Sequence, residues 1–200
     1  MEVDVLAFDK DGWAVDPKIT VARRPNLAHG RMTMVSGIIV HQTGASTASS
    51  TLNSYLQDGA NGAHFLIDKN GDIYQTGSVF WRQWHVGKLK PRCMLEKRCT
   101  PVEVKNFTHM TYAEINTYEM KKAVPDRYPA NDDSIGIELV GAPTGTGPNQ
   151  GYETVTAEQN ASLAWLVKEL TEKFGVPMTE VFRHPAVSRK NEHEAESARW

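Results

Sequence analysis

The first firm signal along the chain is a short, unbroken apolar run, Gly37-Ile38-Ile39-Val40-His41. Continuous β-branched residues over so few positions predict a strand buried on both faces. Residues 1–34, before it, show no period, and Pro17 and Pro25 interrupt any helix, so this lead-in reads as irregular. After the strand comes a polar, small-residue stretch, then a short helix carrying Leu52, Tyr55 and Leu56 that Asp58-Gly59-Ala60-Asn61-Gly62 closes. Two apolar runs, 64–68 and 72–75, flank Lys69-Asn70-Gly71. Asn-Gly between such runs is the strongest local hairpin signal.

Residues 88–133 lose the pattern. They are rich in Lys, Arg, Pro, Thr and Tyr with scattered large apolar side chains, and read as a surface insertion with one helix over 112–122. A strand returns at 134–140 (SIGIELV), followed by a Gly/Pro/Thr-rich loop over 141–151. Thr156 and Gln159 then form a capping box, and Leu163, Leu166, Val167, Leu170 and Phe174 fall on one helical face before Gly175 and Pro177 stop it. Val181 and Phe182 make a last short strand leading into His184. These elements predict a mixed α/β fold: one domain over 1–200 with a central mixed β-sheet flanked by helices and a long surface insertion.

Composition changes this picture little. With 200 residues, 40% hydrophobic and 23% charged, the chain is an ordinary globular one, not a disordered tail or a rod. The net charge of −2, from 22 basic and 24 acidic residues, lacks the basic bias of a nucleic-acid binder. No run approaches the ~18 apolar residues of a membrane span. The acidic opening MEVDVLAFDKDGW lacks the apolar core of a classical signal peptide. Cys93 and Cys99 either close a small disulfide loop or stand as free thiols, and their spacing does not suit a zinc knuckle.

The candidate chemistry lies at strand ends. His29 and His109 read as solvated surface groups. His41 closes a buried strand and is followed at once by polar residues, where sheets place ligands and catalysts as often as structural histidines. His184 repeats the arrangement, and two such histidines at the ends of two separate strands could converge on one metal. Glu138 interrupts an apolar strand, where a carboxylate costs several kcal/mol unless it is paired, metal-linked or protonated. It is either half of a buried pair with an arginine or a general base or acid beside metal-activated water. The tail after His184 offers Lys190, Glu192, His193 and Glu194. Two His, one carboxylate and an open position make the usual catalytic zinc site, and a nearby lysine can stabilise an oxyanion.

The blocks IIVHQTG, GAHFLIDKNGDIYQ, QWHVG, SIGIELVG, VTAEQ and HPAVSRK occur in that order from Ile38 to about Glu194. In this the sequence resembles the zinc-dependent N-acetylmuramoyl-L-alanine amidases of the type 2 class. That class includes T7-lysozyme-like phage enzymes, AmpD-type bacterial amidases and animal peptidoglycan recognition proteins. The resemblance implies hydrolysis, by zinc-activated water, of the amide between N-acetylmuramic acid and L-alanine of the peptidoglycan stem peptide. It implies His41 and His184 as Zn2+ ligands, Glu138 as the catalytic glutamate and Lys190 as the lysine that stabilises the transition state. His64, His85 and Trp84 fall in its groove-lining blocks and are expected to contact substrate.

Two positions depart from the family pattern. The third ligand is usually Cys or Asp, and here the choice lies between Glu192, eight residues past His184, and Glu194, ten past it; His193 is also a ligand type. Ala63 stands where the family carries an active-site tyrosine. The insertion 88–133 is expected to line the substrate groove. The partner is peptidoglycan or a muropeptide, with no nucleic acid and no membrane span. The alternative function is a non-catalytic peptidoglycan-binding module of the same fold. Without a signal peptide, the chain is expected to be made in the cytoplasm. It then reaches the periplasmic or extracellular wall as a delivered antibacterial effector with a cognate immunity protein, or as a phage lysin. The other course is recycling of muropeptides in the cytoplasm.

Overall fold

The computed structural model of the chain describes residues 5–147 and 150–200; Pro148 and Asn149 of the Gly/Pro/Thr-rich loop lie outside them. The strands are β1 (Ile19–Val21), β2 (Gly37–Gln42), β3 (Phe65–Ile67), β4 (Ile73–Gln75), β5 (Ser134–Leu139), β6 (Pro143–Thr144), β7 (Gly151–Tyr152) and β8 (Val181–Arg183). The helices are α1 (Ala48–Ser54), α2 (Arg92–Leu95), α3 (Pro101–Phe107), α4 (Tyr112–Glu119), α5 (Ala157–Phe174) and α6 (His184–Val187). Six strands form one sheet in the order β1-β4-β3-β5-β2-β8, and β6 and β7 form a separate ribbon. Within the large sheet only the β3–β4 hairpin is antiparallel. The architecture is thus the mixed sheet with flanking helices that the pattern predicts. No helix among the described residues is long and apolar enough to cross a membrane.

Alternation along the central strands sorts side chains between two layers. Ile38 and Val40 of β2, Phe65 and Ile67 of β3, and Ile135, Ile137 and Leu139 of β5 pack with Leu163, Leu166, Val167 and Leu170 of α5 in the main core. Ile39 takes the opposite face of β2, in a smaller cluster with Val86, Leu89, Tyr128, Ala130 and Val187. His41, two residues on, shares the face of Ile39. The same parity puts Gly136 and Glu138 opposite Ile137, so sheet geometry alone aims His41 and Glu138 away from α5.

Helix α5 is held at both ends. Thr156 and Gln159 make the expected capping box, and the Gln159 amide also donates to the carbonyls of Ile67 (3.2 Å) and Val140 (2.9 Å) at the ends of β3 and β5. Gly175 caps the far end at φ +66, a left-handed conformation that favours glycine.

Two readings of the sequence need correction here. The lead-in is not wholly irregular: Ile19–Val21 pair in parallel with Ile73–Gln75 as the edge strand, and Leu6, Ala14 and Met32 join the main core. The segment 88–133 does not line the groove, apart from Asn131. It folds into three short helices around a cluster of Cys93, Phe107 and Ile115, and Cys93 and Cys99 are bonded to each other. The expected helix over 112–122 is α4, three residues shorter. This segment buttresses the site from outside: the Lys90 N–H bonds the Val187 carbonyl (2.8 Å), its Nζ bonds the Pro185 carbonyl (2.6 Å), and Ser188 Oγ donates to Lys88 (2.9 Å). Chain packing, rather than the local composition visible in sequence, decides on which side such a segment falls.

One buried ion pair fastens the insertion to the sheet. The Arg92 guanidinium donates to both carboxylate oxygens of Glu180 (2.7 and 2.9 Å), with both residues buried. Glu180 lies one residue ahead of β8. Arg92→Ala would leave that carboxylate unpaired, at a cost of about 3–5 kcal/mol. For a chain of this size the expected fall in Tm is on the order of 10 °C, read from a thermal melt; an unchanged Tm would show the pair to be idle.

Candidate functional site

Three adjacent parallel strands deliver the candidate residues to one end of the sheet. His41 and Glu138 are register partners near the carboxyl ends of β2 and β5, and His184 follows directly on β8, the other neighbour of β2. The carboxyl ends of parallel strands are where α/β sheets generally hold ligands. The fourth residue, Glu194, comes from a turn after α6. Ala195, at φ 56, reverses the chain there, and its N–H is held by Gln42 Oε1 (3.3 Å) while Gln42 Nε2 donates to the Glu153 carbonyl (2.7 Å). Gln42 thus ties the Glu194 turn to the residue next to His41.

His41, His184 and Glu194 converge, all buried. Glu194 Oε1 lies 3.0 Å from His184 Nδ1 and 3.4 Å from His41 Nδ1. The outer nitrogens have other partners: His184 Nε2 donates to the Val86 carbonyl (2.8 Å), and His41 Nε2 meets His85 Nδ1 at 3.0 Å. A carbonyl can only accept, so the proton of a neutral His184 ring sits on Nε2 and Nδ1 turns a lone pair towards Glu194. Burial, then the charge of His184, lowers the His41 imidazole to about 4. Burial opposes ionisation of Glu194, but a proton carried on the Nδ1 of the facing histidines outweighs it through hydrogen bonding and charge and brings the carboxyl down to about 2. Acceptor atoms facing one another across a buried space call for a cation, and this nitrogen-and-oxygen donor set suits zinc.

Glu138 and Lys190 line the same groove, a cavity of about 560 Å³. Glu138 Oε2 is sealed and has no hydrogen-bond partner among the described residues, so the alternative of a buried pair with an arginine does not hold. Burial pushes its carboxyl up to about 8, the charge of Glu194 adds to this, and Lys190 opposes it. Trp84 stands at the rim, 45% exposed, stacked on His29 with ring centroids 3.6 Å apart. His29 is therefore a backing for Trp84 rather than a solvated group.

Not every expected residue is in the groove. His64 is fully buried: Nδ1 accepts the Gly136 N–H (3.0 Å) and Nε2 bonds the Trp81 carbonyl (3.0 Å). Burial lowers its imidazole to about 4. With both nitrogens occupied and no face on the cavity, it cannot contact substrate and serves to lock β5 to the hairpin. His85 does border the groove, but its ring nitrogens are turned to His41 and Ser134. Glu192 is exposed and stands outside the cluster, as does His193, which bonds Glu196 (2.8 Å). Residues missed in sequence are Gln42, Asn61, Asn131 and Tyr152, all of which line the groove. Gln42 was detectable in principle, since a glutamine in a wholly buried strand must place its amide somewhere.

Comparison with known proteins agrees with this fold. The chain superposes on a selenomethionine AmpD derivative with a TM-score of 0.56, at 18% identity over 94% of this chain and 90% of that one. The catalytic domain of XlyA gives 0.53, at 19% identity over 86% and 87%. AmpDh3 from Pseudomonas aeruginosa, in complex with anhydromuramic pentapeptide, gives 0.54 at 20% identity over 79% of this chain and 54% of that one. At such identities these likenesses speak for the fold. No curated protein matches the chain in sequence. The sequence model of N-acetylmuramoyl-L-alanine amidases matches residues 31–195, a span that takes in β2 to β8, and the chain belongs to that family.

Proposed function

We propose that the protein is a zinc-dependent peptidoglycan hydrolase that cleaves the amide between N-acetylmuramic acid and L-alanine of the stem peptide. The observation that carries this reading is the convergence of His41, His184 and Glu194 beside Glu138 and Lys190 in one groove. The complex of AmpDh3 with an anhydromuramic pentapeptide supports the substrate class. Zinc held by His41, His184 and Glu194 would supply a Lewis acid that polarises the scissile carbonyl and makes water a stronger acid. Glu138, as carboxylate, takes a proton from the attacking water and passes it to the departing amine nitrogen of L-alanine. The Lys190 ammonium balances the negative charge that develops on the carbonyl oxygen. A wall-binding module of the same fold would have no use for a general base beside three converging acceptors.

The test is digestion of purified sacculi or a muropeptide, with mass analysis of the products. Expected are a stem peptide with a free L-alanine amine and a lactyl carboxylate on the sugar. Cleavage at a glycosidic or a peptide–peptide bond would overturn the assignment. Lys190→Ala should lower kcat roughly 10²–10³-fold with little change in KM, the pattern of a group that acts on developing charge. A change confined to KM would make Lys190 a substrate-binding residue only.

A further inference from the structure

We propose that His85 is a positioning residue for the metal centre. It fixes His41 in the tautomer that carries its proton on Nε2, so that Nδ1 offers a lone pair to the cation. This rests on the reading of His41 as a ligand. It also replaces substrate contact as the role of His85.

The argument runs inward from the backbone. Ser134 Oγ donates its one proton to the Ala130 carbonyl (2.6 Å). Towards His85 Nε2, Ser134 therefore presents two acceptors, Oγ and its own carbonyl oxygen, each at 3.4 Å. A neutral imidazole has one donor and one acceptor nitrogen, so the His85 proton sits on Nε2 and its Nδ1 accepts. The atom facing that Nδ1 is His41 Nε2, at 3.0 Å, which must then be the donor. Nδ1 of His41 is left with its lone pair directed at Glu194.

Two further features protect this relay. A Cβ on Gly136 would lie 2.8 Å from His85 Nδ1, the atom that receives the bond, so the glycine gives the ring its place in an otherwise bulky strand. Asn131 Oδ1 accepts the backbone N–H groups of both His85 (3.0 Å) and Val86 (2.8 Å). Since the Val86 carbonyl orients His184, two consecutive residues set the two histidines of the cluster, one by side chain and one by main chain. Partners of this kind typically change metal affinity 10–100-fold.

The experiment is zinc titration of the full chain against a competing chromophoric chelator, for wild type, His85→Leu and His85→Asn. It is joined by 15N NMR of the His41 ring in the metal-free proteins. His85→Leu should bind zinc roughly 10–100-fold more weakly and show His41 in both neutral tautomers. His85→Asn, whose amide oxygen can take the place of Nδ1 as acceptor, should recover most of the affinity and the single tautomer. If wild type binds zinc and His85→Leu binds it equally well with His41 unchanged, the proposal falls alone. If wild type binds no zinc, the metal-centre reading falls and takes the proposal with it. Loss of affinity in both variants with His41 held in one tautomer would make His85 a packing residue and also overturn it.

Discussion

Glu138→Gln is expected to abolish most of the proposed hydrolysis and, at the same time, to stabilise the metal-free protein at alkaline pH. The first effect follows from the role of the carboxylate: glutamine cannot accept the proton of water, and loss of such a group typically costs 10²–10⁴-fold in rate. Zinc content should be unaffected, since Glu138 stands outside the His41–His184–Glu194 cluster. The second effect comes from burial, which raises the Glu138 carboxyl from 4.5 to about 8. A carboxyl raised on folding is neutral in both states below the unfolded value. As pH rises from about 4.5 the unfolded chain ionises first, so stability drains away until the folded group also ionises near 8. At one pKa unit per ~1.4 kcal/mol the loss is on the order of a few kcal/mol. Glutamine does not titrate, so the variant escapes it.

The acid side behaves in the opposite sense. His41 and His64 are each lowered to about 4, so protonation of the unfolded chain below about pH 6.5 destabilises wild type and variant alike. Thermal melts from pH 4 to 8.5 in chelator should therefore give curves that nearly coincide at pH 4, separate as pH rises and run parallel above about 8. Parallel curves across the whole range would show that Glu138 is already solvated and would remove the reason for its raised carboxyl. A dication in the cluster favours the ionised carboxylate, so added zinc should close the gap.

How much of this was legible in the sequence depends on whether the cause is local. The strand Gly37–Gln42, the β3–β4 hairpin and α5 are written in neighbouring residues: an unbroken apolar run, an Asn-Gly turn, and a capping box followed by a helical stripe. The three residues of β1 carry no such mark, because their pairing partner β4 lies more than fifty positions on. Parity in the strands placed Glu138 on the face away from α5, yet parity does not reveal depth. His64 and His85 read alike in sequence, as histidines of groove-lining blocks, while one is buried between backbone groups and the other reaches His41. The insertion likewise showed its composition but not its inner side. Its role as a clamp on the loop after His184 arises from contacts spanning about a hundred residues.

The choice between Glu192 and Glu194 shows the same limit, and yields the prediction with the largest effect on metal binding. Spacing from His184 admits either glutamate. The left-handed turn at Ala195 and its hold on Gln42 direct Glu194 inward and leave Glu192 exposed. Glu194→Ala should then lose zinc affinity on the order of 10²–10³-fold, taking a structural site's ~10–16 kcal/mol as shared among four ligands. Glu192→Ala and His193→Ala should bind zinc as wild type does. Glu194→Asp tests reach as well as charge: one methylene shorter, it keeps the carboxylate but must draw the turn inward against the Gln42 contact. Its affinity should fall between those of wild type and alanine. Gln42→Ala should weaken binding through the same turn without touching the ligand set. Equilibrium dialysis with metal analysis reads all five variants. Retention of full affinity by Glu194→Ala together with its loss in Glu192→Ala would mean that the turn rearranges around the ion, and that the convergence on Glu194 belongs to the metal-free chain alone.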